Sequence, residues 1–356
     1  MAPRILLLVS PGRKMGINQT GARSFYSAFI QARVSFKLAM YRLQTAQGWG
    51  FVNVAGEWVI PPQFSDADVF SEGLAAVAEG NRYGFIGQSG EWVIPPQFDW
   101  AWQFSSGLAL TFTPSSPLSS YQYITPQGDT VVEGRFRRTW NASEGKLIVQ
   151  QDEDHFACYV TSGHLLFQKR LAYLGPFHCG LAVACERNFW GFLNESGHWV
   201  IEPKFDALGP FAGENLITPL APAKQGRQSG YITPDGDWAF QMSFIQAGPF
   251  KEGLAMTQCA HKNGTKNVRV VNPQGNVVFE ITVDDAGDFE EGMAWVRLGE
   301  QFGFMNTQGN VVITPQYDFV QQFHHGLAYV ASWPRGWFYI DRKGQPLRLK
   351  PQRVAS

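Results

Sequence analysis

The chain is predicted to be an all-β array of tandem β-meander units. Three observations predict it: a self-similar period of about 35 residues, a glycine at one fixed place in every unit, and short apolar runs bounded by turn residues. Aligned on that glycine, the units start at Trp49, Tyr83, Tyr121, Phe156, Trp190, Ser229, Val268, Phe302 and Trp337. The spacings run from 34 to 39 residues and the last copy is cut short, which gives about eight and a half units. Repeats of this kind pack only on their neighbours, so the predicted form is an open, curved, solenoid-like array over residues 49–345. A closed β-propeller is the alternative, but its blades ordinarily hold four strands and these units offer about three.

Each unit opens on an aromatic-Gly-aromatic strand, as in Trp49-Gly50-Phe51, Tyr83-Gly84-Phe85, Trp190-Gly191-Phe192 and Phe302-Gly303-Phe304. Alternation sets the two rings on one face and the glycine on the other, where a bulky neighbouring side chain can lie across bare backbone. A turn follows, Asn53 to Gly56, Asn194 to Gly197 or Asn306 to Gly309, whose closing glycine suits the left-handed conformation. The second strand, clearest in Trp58-Val59-Ile60 and Trp92-Val93-Ile94, is expected to stop at Pro61, Pro95, Pro203 or Pro315, since proline cannot donate to a ladder. The chain then passes Phe98-Asp99, Phe205-Asp206 or Tyr317-Asp318 to the phrase Phe-x-x-Gly-Leu-Ala, found at Phe70, Phe104, Phe177, Phe250 and Phe323. Its apolar end forms the third strand, paired with the aromatic-Gly strand that follows.

This succession of Trp/Tyr-Gly-Phe, Asn-x-x-Gly, Val-Ile-x-Pro, Phe/Tyr-Asp and Phe-x-x-Gly-Leu-Ala resembles the WG-repeat family, also called KWG repeats. Units one, two, five and eight match best, whereas those starting at Tyr121, Phe156, Ser229 and Val268 lose the Val-Ile-x-Pro phrase. The resemblance implies a bacterial, non-catalytic repeat protein, and it carries no catalytic residue with it.

Residues 1–48 hold seven basic residues and no acid, which leaves the array mildly acidic beneath a formal net charge of −1. A duplex-binding surface is basic, so nucleic acid is excluded as a partner of the array. Phe25, Phe29, Ala32, Phe36 and Met40 fall at helical spacing, which predicts a basic amphipathic helix over residues 24–43. This segment is read as lying outside the fold, with Met40 as the native start; a transit peptide or membrane-surface helix is the alternative. Residues 346–356 form a tail. No apolar run spans a membrane, and the cytoplasm is preferred to an exported or envelope location.

Enzyme signatures are thin. Cys158, Cys179, Cys185 and Cys259 fall at unrelated repeat positions and form no C-x-x-C pair, so neither a zinc site nor a disulfide framework is expected; spacing leaves a Cys179 to Cys185 bridge open. His155, Cys158 and His178 sit in one degenerate unit without ligand spacing. The acidic groups Asp152-Glu153-Asp154 and Asp284 to Glu291 follow no calcium pattern. No cofactor is expected.

Two features are candidate binding surfaces. Trp58, Trp92, Trp199 and Trp238 share one position two residues past the turn glycine. Exposed, such a ladder of rings would stack sugars or peptides; turned inward, it is core. The longer spacings arise at residues 113–120, 219–228 and 260–267, all assigned to one edge, between the Gly-Leu-Ala strand and the next aromatic-Gly strand. That edge also carries Arg82, Arg187, Lys224, Arg227, Lys262 and Lys266, and is the predicted partner surface. The expected function is non-catalytic binding or scaffolding of proteins. A cell-envelope carbohydrate-binding module is the alternative, and an enzyme with a site in the degenerate units is the third reading.

Overall fold

The structure is a computed structural model that describes residues 39–115, 118–213, 216–260 and 266–351. Every regular element among them is a β-strand, and the strands form nine antiparallel sheets taken strictly in chain order. Blades 2 to 8 have four strands each and blades 1 and 9 have three. They span residues 40–64, 66–98, 100–134, 138–170, 173–205, 207–241, 246–281, 285–317 and 319–341. In blade 2 the strands are Asp66–Ala67, Leu74–Glu79, Arg82–Gly87 and Trp92–Phe98, and each pairs with the next.

The expectation of an open array is wrong: the ring is closed. Tyr41 Oη donates to the carbonyl of His325 at 2.6 Å and Tyr339 Oη donates to the carbonyl of Arg42 at 3.0 Å. Lys350 adds a backbone bond to Gly56 O at 2.8 Å and an ion pair with Glu57 at 2.8 Å. The tail thus begins as part of the closure. Three strands per unit became four because the first strand of most blades is only two residues long, too short to show alternation. Among the described residues the closing contacts share no strand between blade 9 and blade 1.

The expected helix is also overturned where it can be seen. Met40–Thr45 is a strand paired residue for residue with Gly48–Asn53, so the array starts at Met40 rather than Trp49. The rest of that helix lies outside the described residues.

Two local readings need correction as well. The prolines do not end the fourth strand, because Trp92–Phe98 runs through Pro95 and Pro96 with its register shifted between Tyr83 and Phe85. A β-bulge absorbs residues that cannot join the ladder. Gly84 faces that bulge: a Cβ there would lie 2.5 Å from Ile94 O and 2.8 Å from Pro95 C. What crosses the bare glycine is backbone, not a side chain.

The core lies between blades. At five boundaries a ring on the aromatic-Gly strand meets the phenylalanine that opens the next blade's first turn: Phe51 with Phe70, Phe85 with Phe104, Phe192 with Phe211, Tyr231 with Phe250, and Phe304 with Phe323. Their centroids are 4.4–4.9 Å apart, within the range where aromatic pairs add about 0.5–1.5 kcal/mol beyond area burial. Periodicity in the sequence is therefore periodicity of the interfaces.

Candidate functional site

Four antiparallel strands place the turn between strands one and two at the same end as the turn between three and four. The turn between two and three lies at the other end, beside the crossover to the next blade. The ring therefore has a first-turn face and a crossover face.

The first turn is the Phe-x-x-Gly-Leu-Ala phrase. Its two central residues both take positive φ, as at Glu72 and Gly73, Glu144 and Gly145, Glu252 and Gly253, and Glu291 and Gly292. A left-handed residue with a Cβ costs about 1–2 kcal/mol, and the glutamates have a use that offsets it. Glu72 accepts from Gly107 N–H at 2.9 Å, Glu144 from Cys179 and Gly180 N–H at 2.6 and 2.9 Å, Glu252 from Gly292 N–H and Glu291 from Gly326 N–H, both at 2.8 Å. Each carboxylate caps the turn of the following blade. Ser71, Ser105 and Ser143 reinforce this by donating to carbonyls of the next blade at 2.7 Å.

That relay lacks its glutamate in blades 3 and 9, where Ser106 and His325 stand instead, and again in blades 5 and 6. Cys179 stands where blade 5 would carry the glutamate, and blade 6 expands its first turn between Ala212 and Leu220, which still bridge. The extra residues of blade 6 thus lie on the first-turn face, not at residues 219–228 on the predicted edge. The signal was readable, since Phe211-Ala212-Gly213 and Leu220-Ala221 are the two halves of one split phrase.

A cavity of about 270 Å³ opens at this interruption. Its lining comes from the first turns of blades 4, 5, 6 and 7: Glu144, Cys179, Pro210, Phe211, Pro249 and Glu252 among them. Four consecutive blades can share one space only where their turns converge on the ring axis, so this is the mouth of the central channel. Phe211 and Phe250 form its buried floor, and Glu144, His178, Lys251 and Glu252 stand exposed at its rim.

The predicted tryptophans do not form a continuous ladder. Trp58, Trp92, Trp199 and Trp238 are all half-buried at the start of the last strand of their blades. Trp92 packs edge-on against Phe64 of the preceding blade at 5.8 Å, and Trp238 packs likewise on Phe205 at 6.0 Å. Lys169 of blade 4 lies over the Trp199 ring at 5.0 Å. Trp92, Trp199 and Trp238 thus each belong to a separate interblade seam.

The predicted cations do share the crossover face. Arg82 is held by Asp99 at 2.6 Å, while Arg187, Lys224 and Arg227 are exposed without an ion pair among the described residues. Lys262 lies outside the described residues, and Lys266 is placed by its backbone in the strand Lys266–Val271. The aspartates at the crossover have a framework role that the sequence reading missed. Asp206, Asp284 and Asp318 accept from the N–H of Gly226, Gly299 and Trp333 in the second turn of their own blades.

Cys158 and His178 are not brought together. Cys158 is buried in the strand His155–Val160, where burial pushes its thiol up to about 12, and His178 sits on the first-turn face. Cys185 and Cys259 are likewise buried, whereas Cys179 is half-buried. Asp152, Asp154 and His155 have ligand-type atoms within 4.8 Å of one another. Their contacts are local: Asp152 meets His155 Nδ1 at 2.6 Å, and Arg170 pairs with Asp154 at 2.9 Å. In the second acidic group, Asp284 and Glu291 cap turns and Asp285 accepts from Gln258 at 2.7 Å.

Closed sheets with turns at both ends and a channel mouth define a nine-bladed β-propeller. The family model for the WG-containing repeat matches residues 49–83, 83–111, 190–226, 230–259, 269–301 and 302–331, more than half of the chain, so the chain belongs to the WG-repeat family. No curated protein matches the sequence. Among solved structures, it is similar to one described as the crystal structure of the eukaryotic initiation factor, with TM-score 0.61 and 12% identity, covering 87% of this chain and 94% of that one. At that identity the likeness is one of fold. BamB from Moraxella catarrhalis, at TM-score 0.41, and KlHsv2 with its loop 6CD replaced by a Gly-Ser linker, at 0.39, are more distant; each is 9% identical. They cover 72% and 78% of this chain, and 92–93% of their own. No helix among the described residues is long and apolar enough to cross a membrane.

Proposed function

We propose that this propeller is a non-catalytic scaffold that binds protein partners through its crossover face. The observation that carries the reading is the division of labour among its polar residues. Glutamates of the first turns and aspartates of the crossovers are engaged in the framework, while Arg187, Lys224 and Arg227 stand exposed and unpaired among the described residues. Exposed charges of this kind contribute orientation and encounter rate more than affinity. The test is capture from source-organism lysate by the full chain and by an Arg187→Glu, Lys224→Glu, Arg227→Glu variant of equal thermal stability. A defined set of proteins should be retained by the native chain and lost by the variant. Identical capture by both would sink the assignment.

A second reading, binding of envelope polysaccharide, draws support from blade 9 rather than from the tryptophan column. There Trp333, Phe319 and Trp337 are exposed, and the Phe319 and Trp337 rings lie 25° from parallel with centroids 6.3 Å apart. Such rings suit stacking against sugars. Sedimentation with insoluble polysaccharide that is abolished by Trp333→Ala and Phe319→Ala together would favour it; sedimentation unaffected by them would remove it.

A further inference from the structure

We propose that the cavity between blades 7 and 8 is a binding site for a primary ammonium carried on an aliphatic chain, with Asp288 as its counter-charge. The site goes beyond the reading of the chain as a protein scaffold and does not depend on it. The cavity measures about 310 Å³ and is lined by the first strands of both blades, the residues just after them, and Met256, Gln258 and Val268. That volume lies at the small end of the range for ligand pockets, the size for one extended alkyl chain and its head group.

Two departures from the repeat shape this space. Gly248 stands two residues before Phe250, where blades 3 and 4 have Trp102 and Trp140 two residues before Phe104 and Ala142. Those indoles fill the seams with the following blades: Trp102 packs on the cluster that holds Ala142 and Leu147, and Trp140 lies 6.1 Å from Tyr173. Where the position is glycine elsewhere, a side chain of the same blade lies over it, Tyr173 over Gly175, Pro222 over Gly209 and Trp295 over Gly287. At Gly248 the heavy atom nearest to an added Cβ is instead Asp288 Oδ1 of blade 8, at 2.8 Å. Asp288 is the second departure, since blades 5, 6 and 7 have proline at its position, Pro176, Pro210 and Pro249. The space that an indole fills in blades 3 and 4 is thus faced by a carboxylate.

Chemistry of the walls selects the occupant. Asp285 and Asp288 are the charged residues of the described lining, and they are not equally free. Asp285 Oδ1 accepts from Gln258 Nε2 at 2.7 Å and from Ala286 N–H at 3.0 Å, and Arg297 stands 4.0 Å from its other oxygen. The Asp288 carboxylate is half-buried and accepts no hydrogen bond among the described residues. The Tyr231 hydroxyl near it donates to Gly248 O at 2.8 Å instead. Lys251 acts on it only from a distance, as an exposed first-turn residue that forms no ion pair with it. Burial holds the Asp288 carboxyl above its ordinary 3.8, as expected of an acid desolvated without a paired cation. Such a group gains most from a charged donor. An ammonium has three donors to share among Asp288 and the amide oxygens of Gln246 and Gln258, while Ala247, Met256 and Val268 give its alkyl stem apolar contact. The same walls exclude anionic ligands.

Saturation-transfer NMR titrations of the full chain test this, with n-pentylammonium as the probe and pentanol and pentanoate as its neutral and anionic counterparts. One charge-assisted bond to a half-buried carboxylate predicts that pentylammonium binds about tenfold or more tightly than pentanol, with pentanoate weaker than either. Asp288→Asn keeps the shape and removes the charge, and should bring pentylammonium down to the affinity of pentanol. Gly248→Trp, which installs the residue that blades 3 and 4 carry at this position, should abolish binding of both. Lys224→Glu in the second turn of blade 6 should leave all three affinities unchanged. Nα-acetyl-lysine N-methylamide separates the two sources of such a group: affinity equal to that of pentylammonium assigns the site to a lysine side chain of a partner, and weaker affinity assigns it to a free alkylamine. Equal affinity for pentylammonium and pentanol, or pentylammonium binding unchanged in an Asp288→Asn variant of native thermal stability, overturns the proposal. The probes are small molecules, so failure here leaves partner capture by the crossover face standing, and failure of capture leaves this site standing.

Discussion

A single glycine shows how tightly this sequence is tied to its fold. Gly84 lies under the bulge formed by Ile94, Pro95 and Pro96, with no room for a Cβ. Gly84→Ala should cost about 1–3 kcal/mol by overpacking, read as a lower urea midpoint with an unchanged slope. An unchanged midpoint would mean that the bulge relaxes freely. The same scale explains what the sequence showed and what it hid. Asn53, Asn194 and Asn306 were legible as turn residues, and each does accept the backbone N–H groups two and four residues on. The role of Glu72, Glu144, Glu252 and Glu291 was not, because an exposed glutamate before a glycine looks like any solvated turn. Only the contact with another blade gives it meaning.

The first turn is the element on which neighbouring blades depend. Glu144 makes two charge-assisted bonds across the blade 4 to blade 5 boundary, so Glu144→Ala should destabilise the ring by about 1–2 kcal/mol, and Glu144→Gln by less. Thermal melts of the two variants would check the order; equal losses would show that charge rather than hydrogen bonding matters there. For Trp92, half-buried against Phe64, Trp92→Ala is expected to lower stability by about 1–3 kcal/mol and to leave polysaccharide sedimentation unchanged. The aromatic-Gly and Gly-Leu-Ala strands were readable from alternation alone. Two-residue strands such as Asp66–Ala67 and Trp100–Ala101 carry no period, which is why the first strand of most sheets went unseen.

At the scale of the whole ring, closure was beyond the reach of pattern reading because it joins residues about three hundred positions apart, Tyr41 to His325 and Arg42 to Tyr339. Tyr41→Phe should cost about 1 kcal/mol and should raise hydrogen exchange selectively in Met40–Thr45. The seam is also acid-sensitive. Burial and the neighbouring His324 hold the His325 imidazole below its ordinary 6.5, against the pull of Glu291. Burial pushes Glu291 upward, but Arg342 and the N–H groups of Gly326 and His325 outweigh it and hold the carboxyl below its ordinary 4.5. Both groups bind protons more readily in the unfolded chain. Stability is therefore lost as pH falls below about 6.5, and the share due to Glu291 goes below about 4.5. Asp288, raised by burial, works in the opposite sense in the carboxylate range. The thermal midpoint should drop between pH 7.5 and 5.5, and His325→Asn should reduce that drop; an equal drop in the variant would count against the assignment to His325.

The way the ends meet bears on how such a ring is inherited. Among the described residues, no strand of the last blade is woven into the first, and closure rests on side chains and a few backbone bonds. A gene that duplicates or deletes one unit therefore has no interlocked strand to re-thread, only one seam to rebuild between surfaces of like chemistry. Blade number becomes a quantity that copying can change.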